Sequence, residues 1–414
     1  MPPRVLIIGC GVIGAVSAYF LRKNGCRVTM VDRGQFGRGS SHGNCGYVCP
    51  SHVLPLSIPG SVRKTLPMVL RRDAPFRIKP SLRPSLWWWF YRFARECRHD
   101  KMMATAQARD ALLQSSFQLY LQLIAEEKLA CEWEHRGSFF VFRDEKAMDD
   151  YGKINHWMEE FGVGAKRFDG ESAREYEPSL KPGLAGAWHH ECDAHLRPDK
   201  LLTSLRDVLI RMNVEIHENT EVKGFQQESK TAKAVLSSQG PIEADEFVVA
   251  TGAWTPLLNR WLGMKVPIQP GKGYSITMPR PATCPQLPLI FPQCKVAVTP
   301  MHSGYRLGST MEFAGYDTSL NPVRLSALKR GAEEYLVDPY CEPIEESWYG
   351  WRPMTFDGRP IIDRAPAFSN VTIAAGHNMI GVSMGAATGK LVYEMICREK
   401  PHLDLQPYSA GRFA

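Results

Sequence analysis

Long hydrophobic runs are absent from this chain of 414 residues. No stretch approaches the roughly 20 consecutive apolar residues that a membrane-spanning helix needs, so the sequence predicts a protein that is soluble or bound to a membrane surface. An export signal is also not predicted, because the apolar N-terminus carries regularly spaced glycines and continues into a second strand pattern. The sequence contains no internal repeat and no low-complexity tract.

Paired cysteines are equally scarce. The 11 cysteines form no C-x-x-C pair and their number is odd, which is typical of free thiols in a reducing compartment, so we expect a cytoplasmic protein. The tract from His189 to His195 is rich in metal-ligand residue types. Its spacing matches no zinc or di-metal pattern, and no metal site is predicted.

Positive charge is concentrated in one window. The net charge is +7, and residues 61–101 carry eleven Lys and Arg against three acids. Because no nucleic-acid motif accompanies this window, nucleic acid is not a predicted partner. The segment Leu86 to Arg95 would form an amphipathic, aromatic helix with a basic rim. Two interpretations stay open for residues 83–98: a helix buried against a second domain, or a helix docked on a membrane surface.

The N-terminus has the spacing of a dinucleotide-binding β-α-β unit. An apolar run ends at Gly9, which permits a sharp turn into a helix, while Gly11 lets a pyrophosphate approach the backbone and Gly14 lets helix and strand pack closely. The phosphates would lie on the free N–H groups at the positive end of the new helix. A second strand over 27–31 precedes Asp32, whose carboxylate can accept hydrogen bonds from a ribose.

Further elements follow from hydrophobic periodicity. The pattern predicts a helix over 199–212 and strands over 214–217 and 221–225 that continue one sheet. Near the C-terminus it predicts a strand over 371–376 and a helix over 385–398.

The alternation of these elements predicts an α/β fold with two discontinuous domains. A Rossmann-like cofactor domain is assigned residues 1–60, 185–262 and 349–414. An α+β substrate domain with an antiparallel sheet is assigned residues 61–184 and 263–348.

Four ordered motifs resemble the FAD-dependent amino-acid oxidoreductases that include D-amino-acid oxidase, glycine oxidase and sarcosine oxidase. They are the N-terminal fingerprint, the turn Ala250 to Trp254, the segment Gly350 to Pro360 and the segment Gly376 to Gly385. Within that group, Gly43 to Gly46 and Pro270 to Ser275 look most like bacterial D-amino-acid dehydrogenases. The resemblance covers nearly the whole chain. It implies FAD rather than NAD, because family members place the C-terminal glycine-rich turn under the flavin ring.

The resemblance also implies which residues hold the cofactor. Asp32 departs from the glutamate that is commoner in the family but offers the same ribose acceptor. Val222 would meet the adenine region, and the helix beginning near Ser383 would direct its positive end at the flavin N1 and C2 carbonyl. The cysteine that attaches the flavin in sarcosine oxidases corresponds to Gly350, so non-covalent FAD is expected. The full predicted set is Gly9, Gly11, Val12, Ile13, Gly14, Asp32, Arg33, Ser40, Ser41, Gly43, Asn44, Val222, Thr251, Gly252, Gly376, Met379, Ile380, Gly381, Val382 and Ser383.

The implied reaction is oxidative deamination of a D-amino acid or a D-proline-type imino acid. Hydride would pass from the substrate Cα to flavin N5, and the product would hydrolyse to a 2-oxo acid and ammonia. Arg352, in the family's Arg-Pro motif, would hold the substrate carboxylate with its planar fork. The alternative for Arg352 is a structural ion pair with Asp357 or Asp363. Met379 stands where glycine oxidases have a second arginine, which leaves room for an apolar substrate side chain.

Three further residues are predicted near the substrate, each with a structural alternative: Tyr274, His377 and His52. The predicted electron acceptor is a membrane quinone, because the aromatic basic helix suits a membrane surface, and the protein would then be peripheral on the inner face of the cell membrane. Two alternatives stay open. One is an oxidase that reduces dioxygen, and the other is a flavin-binding subunit of a larger complex.

Overall fold

The computed structural model describes residues 2–63, 65 and 76–413. Residues 64 and 66–75, which belong to the basic window and to the predicted substrate domain, lie outside the described residues. The strands are β1 (Arg4–Ile8), β2 (Arg27–Val31), β3 (Tyr47–Val48), β4 (Phe76–Ile78), β5 (Ser138–Phe142), β6 (Lys166–Asp169), β7 (Gly186–His190), β8 (Ala194–His195), β9 (Glu215–His217), β10 (Val222–Glu228), β11 (Thr231–Ser237), β12 (Gly240–Glu243), β13 (Glu246–Val249), β14 (Ile268–Met278), β15 (Leu289–Phe291), β16 (Val296–Met301), β17 (Gly304–Phe313), β18 (Glu346–Thr355), β19 (Ile361–Arg364) and β20 (Val371–Ala375). The helices are α1 (Val12–Lys23), α2 (Pro84–Glu96), α3 (His99–Glu127), α4 (Glu145–Glu159), α5 (Gly170–Tyr176), α6 (Pro198–Arg211), α7 (Asn259–Leu262), α8 (Pro322–Glu333) and α9 (Gly381–Cys397).

A six-stranded sheet in the order β19-β20-β13-β1-β2-β9 forms the predicted Rossmann-like part of the molecule. Its strands are parallel except for β19, which pairs antiparallel with β20. Strands β1, β13 and β20 are apolar along nearly their whole length because both faces of the sheet are covered. Helices α1, α3 and α9 pack on one of these faces.

Most of the predicted elements of this part are present, and one prediction is wrong. Strand β2 occupies the predicted span, α6 lies one residue from its predicted bounds, and α9 begins at Gly381, four residues before the predicted start. The segment 221–225 does not continue the main sheet. It belongs to β10, which forms a separate antiparallel sheet with β11 and β12. The short hairpin turns between β10, β11 and β12 pair these strands with each other, so β10 is not available to the edge of the parallel sheet.

A nine-stranded, predominantly antiparallel sheet forms the second part. Its strands follow the order β18-β14-β17-β16-β15-β5-β7-β6, with β4 added to β17. One face packs against α8 in an apolar core. Strand β7 pairs with β5 and β6 in this sheet, and β18 pairs with β14. The predicted division assigns the segments 185–262 and 349–414, which contain β7 and most of β18, to the cofactor domain. The domain boundaries therefore stay a prediction.

Helix length and apolarity bear on membrane insertion. Over the described ranges, no helix combines the length and the apolar content that crossing a membrane requires.

Candidate functional site

A cavity of about 830 Å³ opens at the carboxyl ends of the parallel strands. Ile8, Val31 and Ala250, at or just beyond the ends of β1, β2 and β13, line it together with the first residues of α1 and α9. The crevice outside the carboxyl ends of such strands is where α/β proteins bind nucleotides. The volume falls within the range of ligand sites, roughly 300 to 1,000 Å³.

The fingerprint glycines are required by close backbone approaches. Gly9 has φ +109°, and a Cβ there would lie 2.5 Å from the carbonyl oxygen of Ala250. A Cβ on Gly14 would lie 1.9 Å from the carbonyl oxygen of Gly9, so helix α1 can pack on its strand only with glycine at this position. Gly11 faces the cavity, and the nearest atom to a Cβ there is the Ser41 hydroxyl at 3.5 Å. The N-terminus of α1 is therefore open to an anionic group.

The Asp32 carboxylate lies beside that helix start. It accepts hydrogen bonds from the N–H groups of Cys10 (2.7 Å) and Gly34 (2.9 Å), which fix its orientation, and it lines the cavity. The Arg33 guanidinium stacks 4.1 Å from the centroid of the Trp254 ring. Both residues face the end of the cavity where a ribose and an adenine would bind in a Rossmann-like site.

The glycine- and serine-rich loop is attached to the nine-stranded sheet by a fully buried arginine. Arg306 on β17 donates hydrogen bonds to the carbonyls of His42 (3.1 Å) and Asn44 (2.7 Å), and burial lowers the pKa of its guanidinium. Thr299 adds a hydrogen bond to the carbonyl of Cys45 at 2.6 Å. The loop that lines the cavity is thereby held by the other sheet.

Most of the predicted cofactor residues line the cavity, and five do not. Among these five, Ser383 donates a hydrogen bond to the Tyr47 carbonyl at 2.8 Å. The lining residues are Gly9, Gly11, Val12, Ile13, Asp32, Arg33, Ser40, Ser41, Asn44, Val222, Thr251, Gly252, Met379, Gly381 and Val382. The predicted residues that do not line the cavity are Gly14, Gly43, Gly376, Ile380 and Ser383. Two helix N-termini, a carboxylate and glycines without side-chain volume together fit an extended dinucleotide.

Arg352 on β18 lines the cavity, and backbone carbonyls hold it in place. Its Nη1 donates to the carbonyl of Thr310 at 2.5 Å and its Nη2 to that of Ser309 at 3.3 Å. Both residues have positive φ, 50° and 102°, at a register shift between β14 and β17. Non-glycine residues, and above all a β-branched residue such as Thr310, rarely adopt such a conformation. The backbone is therefore strained at this bulge, which turns the two carbonyls towards Arg352.

The structural alternative for Arg352 fails within the described part of the chain. Asp357 pairs with Arg412 (2.7 Å) and Arg359 (3.3 Å), and the Asp363 carboxylate accepts from the N–H of Ala410. No described carboxylate forms an ion pair with Arg352. Burial lowers the pKa of this guanidinium without removing its charge, so the cavity contains a cation with no partner acid.

The Arg352 side chain lies across Gly273 on the neighbouring strand. A Cβ on Gly273 would lie 2.5 Å from the guanidinium carbon of Arg352. Gly273 and Arg352 thus share one face of the sheet, whereas Tyr274 points to the opposite face, towards α8. The Tyr274 hydroxyl donates to Glu312 at 2.8 Å, and the side chain does not line the cavity.

The two predicted histidines occupy different places. His377 lines the cavity, its Nε2 lies 3.0 Å from the Thr388 hydroxyl, and burial lowers its pKa to about 3. His52 does not line the cavity, and burial lowers its pKa to about 4. Both side chains are therefore neutral at pH 7.

His52 belongs to a buried cluster with Cys49 and Asp193 whose ligand-type atoms lie within 4.8 Å of one another. The Asp193 carboxylate already accepts hydrogen bonds from the N–H of Ser51 (3.1 Å) and from the hydroxyls of Ser51 and Ser138 (both 2.7 Å). These donors satisfy the buried carboxylate in place of a cation. The absence of a metal site stays a prediction.

Three aromatic residues of β18, Trp348, Tyr349 and Trp351, line the cavity although the sequence did not single them out. The Trp348 ring lies between two glycines, because a Cβ on Gly43 or on Gly350 would come within 2.2 Å of it. Gly350 therefore has no space for a side chain. Their position directly before Arg352 in the sequence could have identified them as candidate site residues. The face of the strand on which each side chain lies could not be predicted, because it depends on the pairing of β18 with β14.

Three comparisons describe what the chain is similar to. A family model described as FAD dependent oxidoreductase matches residues 4–395. A D-amino acid dehydrogenase of Granulibacter bethesdensis is 30% identical over 421 residues, covering 99% of this chain and all of that protein. The solved glycine oxidase of Geobacillus kaustophilus superposes with a TM-score of 0.80 at 22% identity, covering 98% of each chain. The L-proline dehydrogenase of P. horikoshii gives a TM-score of 0.73 at 22% identity, covering 100% of this chain and 98% of that one.

Proposed function

The chain belongs to the family of FAD dependent oxidoreductases, and on that premise we propose that it catalyses the oxidative deamination of an amino acid. The observation that carries this proposal is Arg352, a partly buried cation without a partner acid in the described structure, on the wall of the cofactor cavity. A planar guanidinium offers two parallel donors that match a carboxylate. The relative named D-amino acid dehydrogenase supports a D-amino acid as the substrate.

Arg352 orients the substrate by its carboxylate. Thr310 and Ser309 hold the guanidinium through their carbonyls, and in this proposal its other N–H groups bind the carboxylate and fix the direction of the bound substrate. When bound, FAD supplies the two-electron acceptor for the hydride that leaves the substrate Cα. The imino acid formed from a primary amino acid hydrolyses in water to a 2-oxo acid and ammonia, whereas a cyclic substrate of the D-proline type gives a cyclic imine that releases no ammonia. Neither product requires a protein nucleophile.

The cavity wall near Arg352 favours an apolar substrate side chain. Trp348, on the same face of β18 as Arg352, and Met379 present mainly apolar surface there. This surface also excludes water and strengthens the attraction between the guanidinium and a carboxylate. The substrate class is therefore an apolar D-amino acid or a cyclic imino acid of the D-proline type.

We also propose that a membrane quinone accepts the electrons, with α2 as the contact to the membrane surface. Leu86 and Trp89 of this helix are buried against the nine-stranded sheet, whereas Trp87, Trp88 and Tyr91 are about half exposed. One face of this helix is buried, as the first interpretation expected, and the proposed membrane contact would use the other face. An exposed aromatic surface with arginines beside it suits an anionic membrane interface.

Replacing Arg352 tests the assignment of the carboxylate site. Arg352→Lys keeps the charge but loses the planar fork, so kcat/KM for the preferred D-amino acid should fall about 10- to 100-fold, mainly through KM. The assay follows ammonia and 2-oxo acid formation with a soluble quinone analogue, and it compares D- and L-enantiomers. Arg364→Lys, whose side chain pairs with Glu246 away from the cavity, is the matched control. An unchanged KM in the Arg352 variant would refute the assignment.

A further inference from the structure

Two thiols that are far apart in the sequence meet at the end of the parallel sheet opposite the cavity. The Sγ atoms of Cys26 and Cys397 lie 3.6 Å apart. Cys26 is buried in the turn between α1 and β2, and Cys397 is the last residue of α9 and is partly exposed. All 11 cysteines of the chain are free thiols in this structure.

The position of this pair links it to the cofactor cavity. Helices α1 and α9 both begin at the cavity, and strand β2 ends there at Asp32. With 12 residues in α1 and 17 in α9, the thiols lie roughly 18 to 25 Å from that end. A covalent bond between them would join the far ends of the elements that hold the dinucleotide. It would remove none of the groups in the cavity.

We propose that Cys26 and Cys397 form a redox-active dithiol that a hydroperoxide oxidises to a disulfide, which holds α9 against the β-α-β unit. The Sγ atoms must approach from 3.6 Å to about 2.05 Å. Both residues lie at the ends of elements, where a small backbone adjustment can supply that movement.

The chemistry proceeds in two steps. Cys397, the accessible thiol, attacks the hydroperoxide as its thiolate, so an S–O bond forms, the O–O bond breaks and water or an alcohol leaves. The Cys26 sulfur then attacks the resulting sulfenic acid, forming the S–S bond and breaking the S–O bond, and its proton leaves with the hydroxide as water. The two thiols supply the two electrons that reduce the hydroperoxide.

Burial slows this reaction near neutral pH. Desolvation raises the pKa of the Cys26 thiol and that of the Cys397 thiol, the latter to about 12. The neighbouring Arg22 guanidinium lowers the pKa of Cys26, and the Glu399 carboxylate raises that of Cys397. Oxidation should therefore become faster as the pH rises from 7 to 9.

The test treats the purified holoprotein with hydrogen peroxide at pH 8.5, blocks the remaining thiols and maps peptides without reduction. Wild type should lose two of its 11 thiols and yield one cross-linked peptide pair containing Cys26 and Cys397, reversed by dithiothreitol. Neither Cys26→Ser nor Cys397→Ser should give this pair. Cys341→Ser, which removes another partly exposed thiol, should behave like wild type.

The consequence for the cofactor is measured on the same samples. The oxidised protein should melt about 2 to 5 °C higher and release FAD about 2- to 3-fold more slowly than the reduced protein. Retention of all thiols by the wild type, or a disulfide between other cysteines, would overturn the proposed pair. An unchanged rate of FAD release from the cross-linked protein would overturn its proposed effect. None of these measurements uses a substrate, so they are independent of the proposed function.

Discussion

At the scale of single residues, the site requires glycine at positions where a side chain would clash with a neighbouring group. Gly9, Gly14 and Gly273 each lie where a Cβ would meet another group at 2.5 Å or less. The first two follow from the fingerprint spacing and were predictable from the sequence. The role of Gly273 was not, because it depends on the pairing of β14 with β18, which joins residues far apart in the chain. The same long-range pairing turns Tyr274 away from the cavity.

Gly273→Ala leaves the Arg352 side chain chemically unchanged but should weaken substrate binding. The added methyl group would lie 2.5 Å from the guanidinium carbon, so the fork must move. We expect an increase in KM for the D-amino acid of about 10-fold, with FAD still bound. The control is Gly411→Ala, because a Cβ there makes an ordinary contact of 3.4 Å. Wild-type KM in the Gly273 variant would show that the guanidinium is not fixed as described.

The pH dependence of stability should report the buried histidines. Burial lowers the pKa of His377 to about 3, whereas an unfolded histidine titrates near 6.5. The unfolded chain therefore binds a proton between these values that the folded chain excludes, so stability falls as the pH drops below about 6.5. His377→Gln should flatten this decline in urea unfolding between pH 7.5 and 5. His217→Gln, at an exposed histidine, is the control. Equal slopes in the His377 variant and wild type would contradict the buried neutral histidine.

At the scale of elements, local patterns predicted helices and strands well but not their partners. Strand β2 and helix α6 follow directly from periodicity. The strand over 221–225 was assigned to the wrong sheet. The reason is that a short strand carries no information about its neighbour, which packing between distant segments decides.

Helix α2 has one buried face and one half-exposed aromatic face, and the proposed membrane contact rests on the exposed face. Replacing Trp87, Trp88 and Tyr91 by serine removes only the exposed aromatic groups. The variant should lose most of its sedimentation with phosphatidylglycerol vesicles at low salt, while its activity with a soluble quinone analogue persists. Leu121→Ser with Ile210→Ser changes other exposed apolar residues and is the control. If wild type and the α2 variant sediment equally, α2 is not a membrane contact.

At the scale of the whole molecule, two sheets enclose one cavity. The six-stranded sheet supplies the dinucleotide end, and the nine-stranded sheet supplies Arg352 and, through Arg306, holds the loop between them. The family and its FAD cofactor, expected from four motifs, are confirmed by a match over residues 4–395. The motifs predicted the family correctly because each requires a particular backbone geometry. The boundaries between the two parts of the molecule are harder to predict from the sequence, since β18 belongs both to the nine-stranded sheet and to the cavity wall.

The most direct test of the account is the anaerobic reduction of the bound flavin by single amino acids. An apolar D-amino acid should bleach the flavin absorbance of the wild-type protein completely, and its L-enantiomer should not. Arg352→Gln should need at least about 100-fold more of the same D-amino acid for half-reduction. Chemical reduction by dithionite should remain complete in both proteins, which controls for bound flavin. Equal reduction of the wild type and the Arg352 variant by the D-amino acid would contradict the account.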